Sequence, residues 1–471
     1  MEYIENRTFD EINVGDGARL VRTLTEQDIT LFAVMSGDIN PAHVDPEYAK
    51  SSRFREVIGH GMWSGALIST VLGTEFPGPG TIYLGQDLRF RRPVKVGDTV
   101  TITVQATEKD ASKGKVVLKT ECLNQDGEVV VTGIAEVIAP REKVRRAKVD
   151  LPEIRFDDRE ARFRDVMARV KARHLSPVDT AIIAPTDIQC LTSAVEAARE
   201  GIIVPVLIGP EVRIREAAEV GGLDIAGLRI VPTANNREAV AMAIHLAREG
   251  RVEGIMKGCI TAEELVVPVV SATRGLRTDR RISHVHVLDV PTYPKPLFIT
   301  DTMVNIAPTL DAKRDICQNA IDLAHSLGIP APKVAILAAV ETINPKMPAT
   351  IDAATLCKMA ERGQITGGIL DGPLTFDHAV SLKAAETTGI RSAVAGQADI
   401  LVVPDLESGN MIAKQLAYLA DAVSAGIVLG AKVPIALTSR TDDRHSWLAS
   451  AMLVLLVAHV HRRAAVGTMA A

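Results

Sequence analysis

Asp38 and His43 flank the turn-forming pair Asn40-Pro41, inside the string Phe-Ala-Val-Met-Ser-Gly-Asp-Ile-Asn-Pro-Ala-His-Val-Asp-Pro. Pro41 interrupts any continuous helix between them, so the two side chains can converge instead of lying on opposite faces. A carboxylate and an imidazole that meet can divide acid and base work between them. A little further on, Gly59-His-Gly-Met62 opens an apolar helical pattern that runs from Gly61 to Glu75. Backbone N–H groups near Gly61, at a helix start, can stabilise an enolate oxygen. Together these groups suit the addition of water to an α,β-unsaturated thioester. Spacing alone leaves another reading open: Asp-x-Asn-Pro is a common turn, and His43 can be an ordinary surface or core histidine.

Later in the chain, chemistry-bearing residues stand at turns that follow short apolar runs. They are Met256-Lys257-Gly258, Asp371-Gly372-Pro373, Asp405-Leu-Glu-Ser-Gly-Asn410 and Ser439-Arg440. Glycine permits close backbone approach, while Lys257 and Arg440 bring positive charge and Ser439 a hydroxyl. Such a set can hold phosphate, although Lys-Gly and Ser-Arg are also ordinary surface turns. His284 and His286 lie two apart on one expected strand face; with no third ligand nearby they are read as plain strand residues and no metal site is expected. Neither Gly-x-Gly-x-x-Gly nor Gly-x-x-x-x-Gly-Lys-Ser/Thr occurs, which argues against a dinucleotide enzyme, including a divergent dehydrogenase, and against a P-loop enzyme. Gly-x-Ser-x-Gly is absent as well.

The elements that must position these groups fall into two styles. A chain of 471 residues exceeds one ordinary core. After the helical pattern of Gly61–Glu75, Thr99–Val104 alternates with period two. Lys115–Glu121 and Glu128–Thr132 flank Asn124-Gln125-Asp126-Gly127, a hairpin signal, and Gly133–Ile138 adds a further strand-like run. One long helix with an antiparallel meander is an α+β layout, assigned to residues 1–140. Residues 141–158, dense in Lys and Arg and then acidic, read as a linker. Residues 159–471 alternate short apolar runs with Ala-rich helical stretches, the pattern of a mostly parallel α/β sheet forming one large or two small lobes. The runs are 181–184, 204–208, 254–256, 285–288, 297–299, 334–340, 400–403, 427–429 and 434–437.

Hydrophobic content of 47% with 24% charged residues marks a folded, soluble chain. A net charge of −5 and 3% aromatics give no basis for nucleic-acid binding. The five cysteines are scattered without a Cys-x-x-Cys pair, so neither a zinc site nor a disulfide framework is indicated. The first residues lack the apolar core of a signal peptide. The longest apolar run, Trp447–Val460, is too short for a bilayer and fits a buried helix. A cytoplasmic protein without membrane contact is the expectation.

The longer strings carry two resemblances. Asp38-Ile-Asn-Pro-Ala-His43-Val-Asp-Pro, Gly59-His-Gly-Met62, Tyr83-Leu-Gly-Gln86 and Arg91-Arg-Pro-Val-Lys-Val-Gly-Asp98 together resemble MaoC-like, (R)-specific enoyl-CoA hydratases over nearly all of residues 8–138. The resemblance implies a hot-dog fold, reversible hydration of a trans-2-enoyl-CoA, Asp38 and His43 as the catalytic pair, and Asn40, His60 and Gly61 as substrate-binding residues. Ala398–Asn410, Ile369–Leu374, Met256–Gly258 and Leu437–Arg440 resemble the phosphate acetyl/butyryltransferase family over roughly residues 160–465. That resemblance implies metal-free acyl exchange between coenzyme A and phosphate. Ser439 and Arg440 would be catalytic, with Lys257, Gly258, Asp405, Gly409 and Asn410 binding substrate.

Ser446 stands where the acetyltransferase branch has an aspartate, while Asp442 and Asp443 come earlier, closer to the butyryltransferase pattern. No arginine occurs in Glu264–Pro268, where the family tends to have one; Arg274 or Arg277 are the nearby substitutes. The combined expectation is a bifunctional enzyme acting on acyl-CoA and phosphate, without a cofactor and assembled as a homo-oligomer through both domains. The alternative is a hydratase whose C-terminal domain serves only for oligomerisation or coenzyme A binding.

Overall fold

The computed structural model describes residues 2–149, 151, 154, 168, 170–438 and 443–469. The chain divides into two compact units, Met1–Phe156 and Asp157–Ala471.

In the first unit the strands are β1 (Tyr3–Glu5), β2 (Gly17–Thr23), β3 (Ile82–Phe90), β4 (Thr99–Asp110), β5 (Lys115–Leu123), β6 (Val129–Ile138) and β7 (Arg145–Ala147). The helices are α1 (Glu26–Ser36), α2 (Pro41–Val44), α3 (Pro46–Ser51) and α4 (Gly61–Thr70), the last running on into a wider turn at Val71–Glu75. Five strands form one antiparallel sheet in the order β2-β4-β5-β6-β3. Alternation explains β4: Val100, Ile102, Val104 and Ala106 are buried, and the residues between them face outward. These side chains pack with Leu118, Val137, Trp63, Ile68 and Leu72, so the sheet wraps the helix of residues 61–75. This is the hot-dog arrangement.

The turn at Asn124–Gly127 forms as expected, with Gly127 at a φ of +76°. The two runs expected on either side of Gly133 are a single strand, β6. Glycine there reflects crowding, because a Cβ would stand 2.0 Å from the carbonyl oxygen of Asp87 on β3. Residues 145–147, within the stretch read as linker, pair as β7 with β1.

The second unit carries an eleven-stranded sheet: β8 (Val178–Ile183), β9 (Ile203–Gly209), β10 (Arg229–Pro232), β11 (Gly254–Lys257), β12 (Ser283–Asp289), β13 (Leu297–Thr300), β14 (Lys333–Leu337), β15 (Ile369–Leu374), β16 (Ile400–Val402), β17 (Val423–Leu429) and β18 (Ile435–Ala436). Their order is β10-β9-β8-β11-β18-β17-β12-β13-β16-β14-β15. Pairing is parallel except where β12 meets β13 and β17, and where β17 meets β18. The sheet is thus continuous rather than split into two lobes.

Its helices are α5 (Ile188–Arg199), α6 (Glu211–Val220), α7 (Asn236–Arg248), α8 (Ala262–Val269), α9 (Leu310–Ser326), α10 (Pro348–Glu361), α11 (Phe376–Val380), α12 (Leu382–Thr387), α13 (Leu406–Leu419) and α14 (Arg444–Met469). Two strands of this unit escape the sequence reading, β10 and β15. Both are edge strands. Asp371-Gly372-Pro373, expected as a strand-end turn, lies inside β15, where an edge position tolerates proline. The apolar run at Trp447–Val460 is helical and buried through Ala458 within α14. Among the described residues no helix is long and apolar enough to cross a membrane.

Replacing Gly133 with alanine forces β6 away from β3 and should destabilise the first unit by about 1–3 kcal/mol. Urea titration of the full chain measures this; an unchanged midpoint would refute the crowding argument.

Candidate active sites

In the first unit, α1 is opened by a capping box between Thr25 and Asp28 and closed by Gly37, whose φ of +75° is the left-handed geometry favoured by glycine. The chain therefore turns sharply at Asp38. Asp38 Oδ1 accepts the N–H of Asn40 at 3.2 Å, and Asn40 Oδ1 accepts the N–H of Ala42 at 3.1 Å. Asn40 is thus the N-cap of α2; its carbonyl oxygen holds the turn that presents His43.

His43 Nδ1–H donates to the carbonyl of Ile58 at 2.8 Å, which leaves Nε2 as the nitrogen with a lone pair. His60, 4% exposed, donates from Nε2 to the main-chain carbonyl of Asp38 at 3.0 Å. Its ring stacks on Phe32 (4.8 Å) and lies tilted against His43 (4.1 Å). One donor atom from each of Asp38, His43 and His60 lies within 4.8 Å of the others. The expected pair does converge, and His60 joins it through the backbone of Asp38. Three such donors could also take a divalent cation, with Nδ1 of His60, buried and without a partner among the described residues, as the nitrogen of that ring still open.

A cavity of about 230 Å³ adjoins the group, lined by His43, His60, Gly61, Ser64, Phe90 and three arginines, Arg53, Arg91 and Arg92, among others. Gly61 begins α4, so its N–H has no intrahelical acceptor. A Cβ there would stand 3.0 Å from the Phe90 ring. Trp63 belongs to the core, while Met62 is exposed.

In the second unit, a cavity of about 390 Å³ gathers the ends of several elements. Lys257 closes β11, is 5% exposed, and donates from Nζ to the carbonyls of Gly258 and Ile260, each at 3.1 Å. Gly258 lets β11 approach β8, since a Cβ would sit 2.2 Å from the Ile183 carbonyl oxygen. Thr438, just after β18, donates to the carbonyl of Lys257 at 3.3 Å. The next residues, Ser439 and Arg440, lie outside the described residues, as does Asp442. Asp443 and Ser446 both line the cavity, and Asp443 accepts the Ser446 N–H at 2.8 Å.

From α13 come Asn410, Lys414 and Tyr418. Asn410 donates to the carbonyl of Thr302 at 3.4 Å. Gly409 allows the same helix to approach the segment after β13; a Cβ would stand 2.8 Å from the Asp301 carbonyl oxygen. Asp405 is the N-cap of α13, accepting the N–H and hydroxyl of Ser408 at 2.8 and 2.7 Å. Its carboxylate builds the helix start and is not among the lining groups. Arg274 and Arg277 do not line the cavity either; Arg277 borders a separate one with Arg280, Arg281 and Arg314.

Sequence reasoning missed the segment Asp301–Asn305. Asp301 is 2% exposed and accepts the N–H groups of Met303, Val304 and Asn305. It ties the chain leaving β13 into a tight loop that carries Thr302. Asp-x-x-x-Asn directly after an apolar run was the available signal. His284 and His286 face that loop. His284 Nδ1 is 2.7 Å from Thr302 Oγ1, which is 3.4 Å from His286 Nδ1, and His286 lines the cavity. Burial pushes both rings towards neutrality, His284 well below the usual histidine range and His286 down to about 4.

Cys259, beside the Lys-Gly turn, donates its thiol to Asp187 at 2.5 Å. It is brought down to about 7, chiefly by a hydrogen bond from Cys190.

The family described as "Phosphate acetyl/butaryl transferase" matches residues 232–455. A phosphate acetyltransferase of Rhizobium meliloti is 53% identical over 294 residues, covering 62% of this chain and 93% of the relative. The chain belongs to the phosphate acetyl/butyryltransferase family. A family member of Clostridium acetobutylicum, a phosphate butyryltransferase, is 38% identical over 63% of this chain and 98% of the relative. The higher identity is therefore to an acetyltransferase, although the spacing of Asp442, Asp443 and Ser446 suggested the butyryl branch. A branched-chain phosphotransacylase from Enterococcus faecalis aligns with a TM-score of 0.53 and 28% identity over 60% of this chain and 99% of that structure. In this chain the family domain follows another: a MaoC like domain matches residues 12–126.

The lowered His284 and His286 values give a stability prediction. The unfolded chain takes up these protons near the ordinary value of 6.5, whereas the folded ring of His286 resists until about 4. Their stabilising effect is complete above about pH 6.5 and is lost as pH falls towards 4. Urea midpoints of the full chain between pH 7 and 4.5 should therefore fall less steeply in His286→Gln than in the wild type. Identical slopes would contradict burial as the cause.

Proposed function

We propose that the chain is a bifunctional acyl-CoA enzyme. The first unit hydrates a trans-2-enoyl-CoA to the (R)-3-hydroxyacyl-CoA. The second exchanges coenzyme A for phosphate on an acyl group.

For hydration, the supporting observation is the meeting of Asp38 with a His43 whose Nδ1–H is already tied to Ile58. Nε2 of His43 and the carboxylate of Asp38 then share the two proton movements. One removes a proton from water as its oxygen bonds to C3; the other delivers a proton to C2. Charge gathering on the thioester oxygen is met by N–H groups at the start of α4, beside Gly61. Arg53, Arg91 and Arg92 around the cavity supply positive charge for the phosphates of coenzyme A.

For transfer, the supporting observation is family membership over nearly the full length of a phosphate acetyltransferase, joined to a cavity that holds Lys257 and Lys414 beside Thr438. A phosphate oxygen attacks the acyl carbonyl carbon, the C–S bond breaks, and its electron pair leaves on sulfur. The hydrogen-phosphate proton ends on the coenzyme A thiol, so the products are acyl phosphate and free thiol. Arg440, next to Ser439, neutralises phosphate charge in this reading.

Asp38→Asn and His43→Ala should each lower hydration of crotonyl-CoA by at least about 10²-fold, followed as fading of the conjugated thioester absorbance. Thiol release from short acyl-CoAs on adding phosphate should persist in both. Near-wild-type hydration in either variant would remove the acid–base assignment. Arg440→Ala should raise the KM for phosphate more than that for acyl-CoA; an equal rise in both would count against its role. If the wild type releases no thiol with any chain length, the second unit is a binding or assembly module.

A further inference from the structure

We propose that His286 is a neutral hydrogen-bond donor to the acyl oxygen in the transfer site, with its tautomer set by a chain from His284 through Thr302. This deepens the transferase reading and rests on it.

The chain contains two imidazoles and one hydroxyl; if both rings donated, the buried Thr302 hydroxyl would have no acceptor among the described residues, which leaves two directions for its protons. Thr302 Oγ1 lies 2.7 Å from His284 Nδ1 and 3.4 Å from His286 Nδ1. In one direction the hydroxyl donates to His284, and Nε2 of His284 must then carry a proton. That nitrogen is fully buried and, among the described residues, without a partner. It faces the main chain at Gly426, where even a Cβ would be only 3.0 Å away. The Gly426 N–H donates to Ser450 at 3.2 Å and its carbonyl accepts from Leu437 at 3.0 Å, and neither is in hydrogen-bonding geometry with that nitrogen. A buried N–H with no acceptor is the rare and costly case. In the other direction His284 Nδ1–H donates to Thr302, and the hydroxyl donates to His286 Nδ1. Nε2 of His284 keeps only a lone pair, and Nε2 of His286 carries the proton.

Among the described residues that Nε2–H has no hydrogen-bond partner, while the His286 ring borders the cavity with Lys257, Lys414 and Thr438. Burial and the nearby Lys414 keep the ring uncharged. A neutral donor suits charge that exists only in the transition state, whereas the lysines suit a phosphate that is anionic throughout. As phosphate oxygen bonds to the carbonyl carbon, the π pair moves onto the acyl oxygen and His286 Nε2–H binds it. Collapse restores C=O and expels the thiolate. The histidine returns unchanged, its proton never transferred. His286 is the catalytic group; Thr302 and His284 are positioning residues.

The test uses the full chain with acetyl-CoA, butyryl-CoA and phosphate, reading thiol release. His286→Leu should lower kcat by roughly 10²–10³-fold with both KM values little changed. His286→Gln, which keeps an N–H near the Nε2 position, should recover most of that loss. Thr302→Val, nearly isosteric, should lower kcat, and Thr302→Ser should restore it. A folded His286→Leu at wild-type kcat, or equal losses in the Leu and Gln variants, would overturn the proposal.

A second readout is independent of turnover. In ¹⁵N-histidine-labelled protein, the resonance missing in His286→Gln should be an Nε2–H tautomer; an Nδ1–H tautomer would overturn the chain. Wild type inactive on all acyl-CoAs would overturn the transferase reading, and the tautomer would then decide the hydrogen-bond chain alone.

Discussion

A histidine withdrawn from water must settle which nitrogen keeps its proton, and both sites of this protein are organised by that choice. In the first unit the carbonyl of Ile58 fixes His43, and the carbonyl of Asp38 fixes His60. In the second, Thr302 stands between His284 and His286. Each neighbour removes one ring nitrogen from play and so gives the other a defined role. The surrounding architecture keeps these acceptors in place. The break after Gly37, the short helix capped by Asn40 and the loop tied by Asp301 are all backbone devices with that effect.

Close main-chain approach is the second recurring device. At Gly258 and Gly409 the absent side chain lets a strand end or a helix come against a neighbouring carbonyl, which brings Lys257 and Asn410 to one cavity. At Gly133 the same freedom lets β6 lie against β3 and keeps the hot-dog sheet continuous. Function and fold therefore draw on the same residue type for one steric reason.

Much of this was legible in the sequence. Alternation in Thr99–Val104 located β4, Asp126-Gly127 located the hairpin, and the strings around Asp38–His43 and Asp405–Asn410 located the two domains. What escaped has physical causes. β10 and β15 lie at the sheet edges, and Pro232, Gly372 and Pro373 lack the features of a central strand. Asn40 and Asp405, which the two resemblances implied as substrate-binding residues, cap α2 and α13, a local role that the strings alone do not display. The His284–Thr302–His286 chain joins residues 16 and 18 positions apart, and only the antiparallel pairing of β12 with β13 brings them together.

The clustering of Asp38 with His43 also has a stereochemical side. Both groups lie within a few ångströms of each other, and the His60 ring, stacked on Phe32, lies against His43. In the proposed hydration a planar enoyl group meets its two proton-handling partners from one face only. In that reading the new C–H and C–O bonds form on the same side, a relation set by a proline-led turn of four residues.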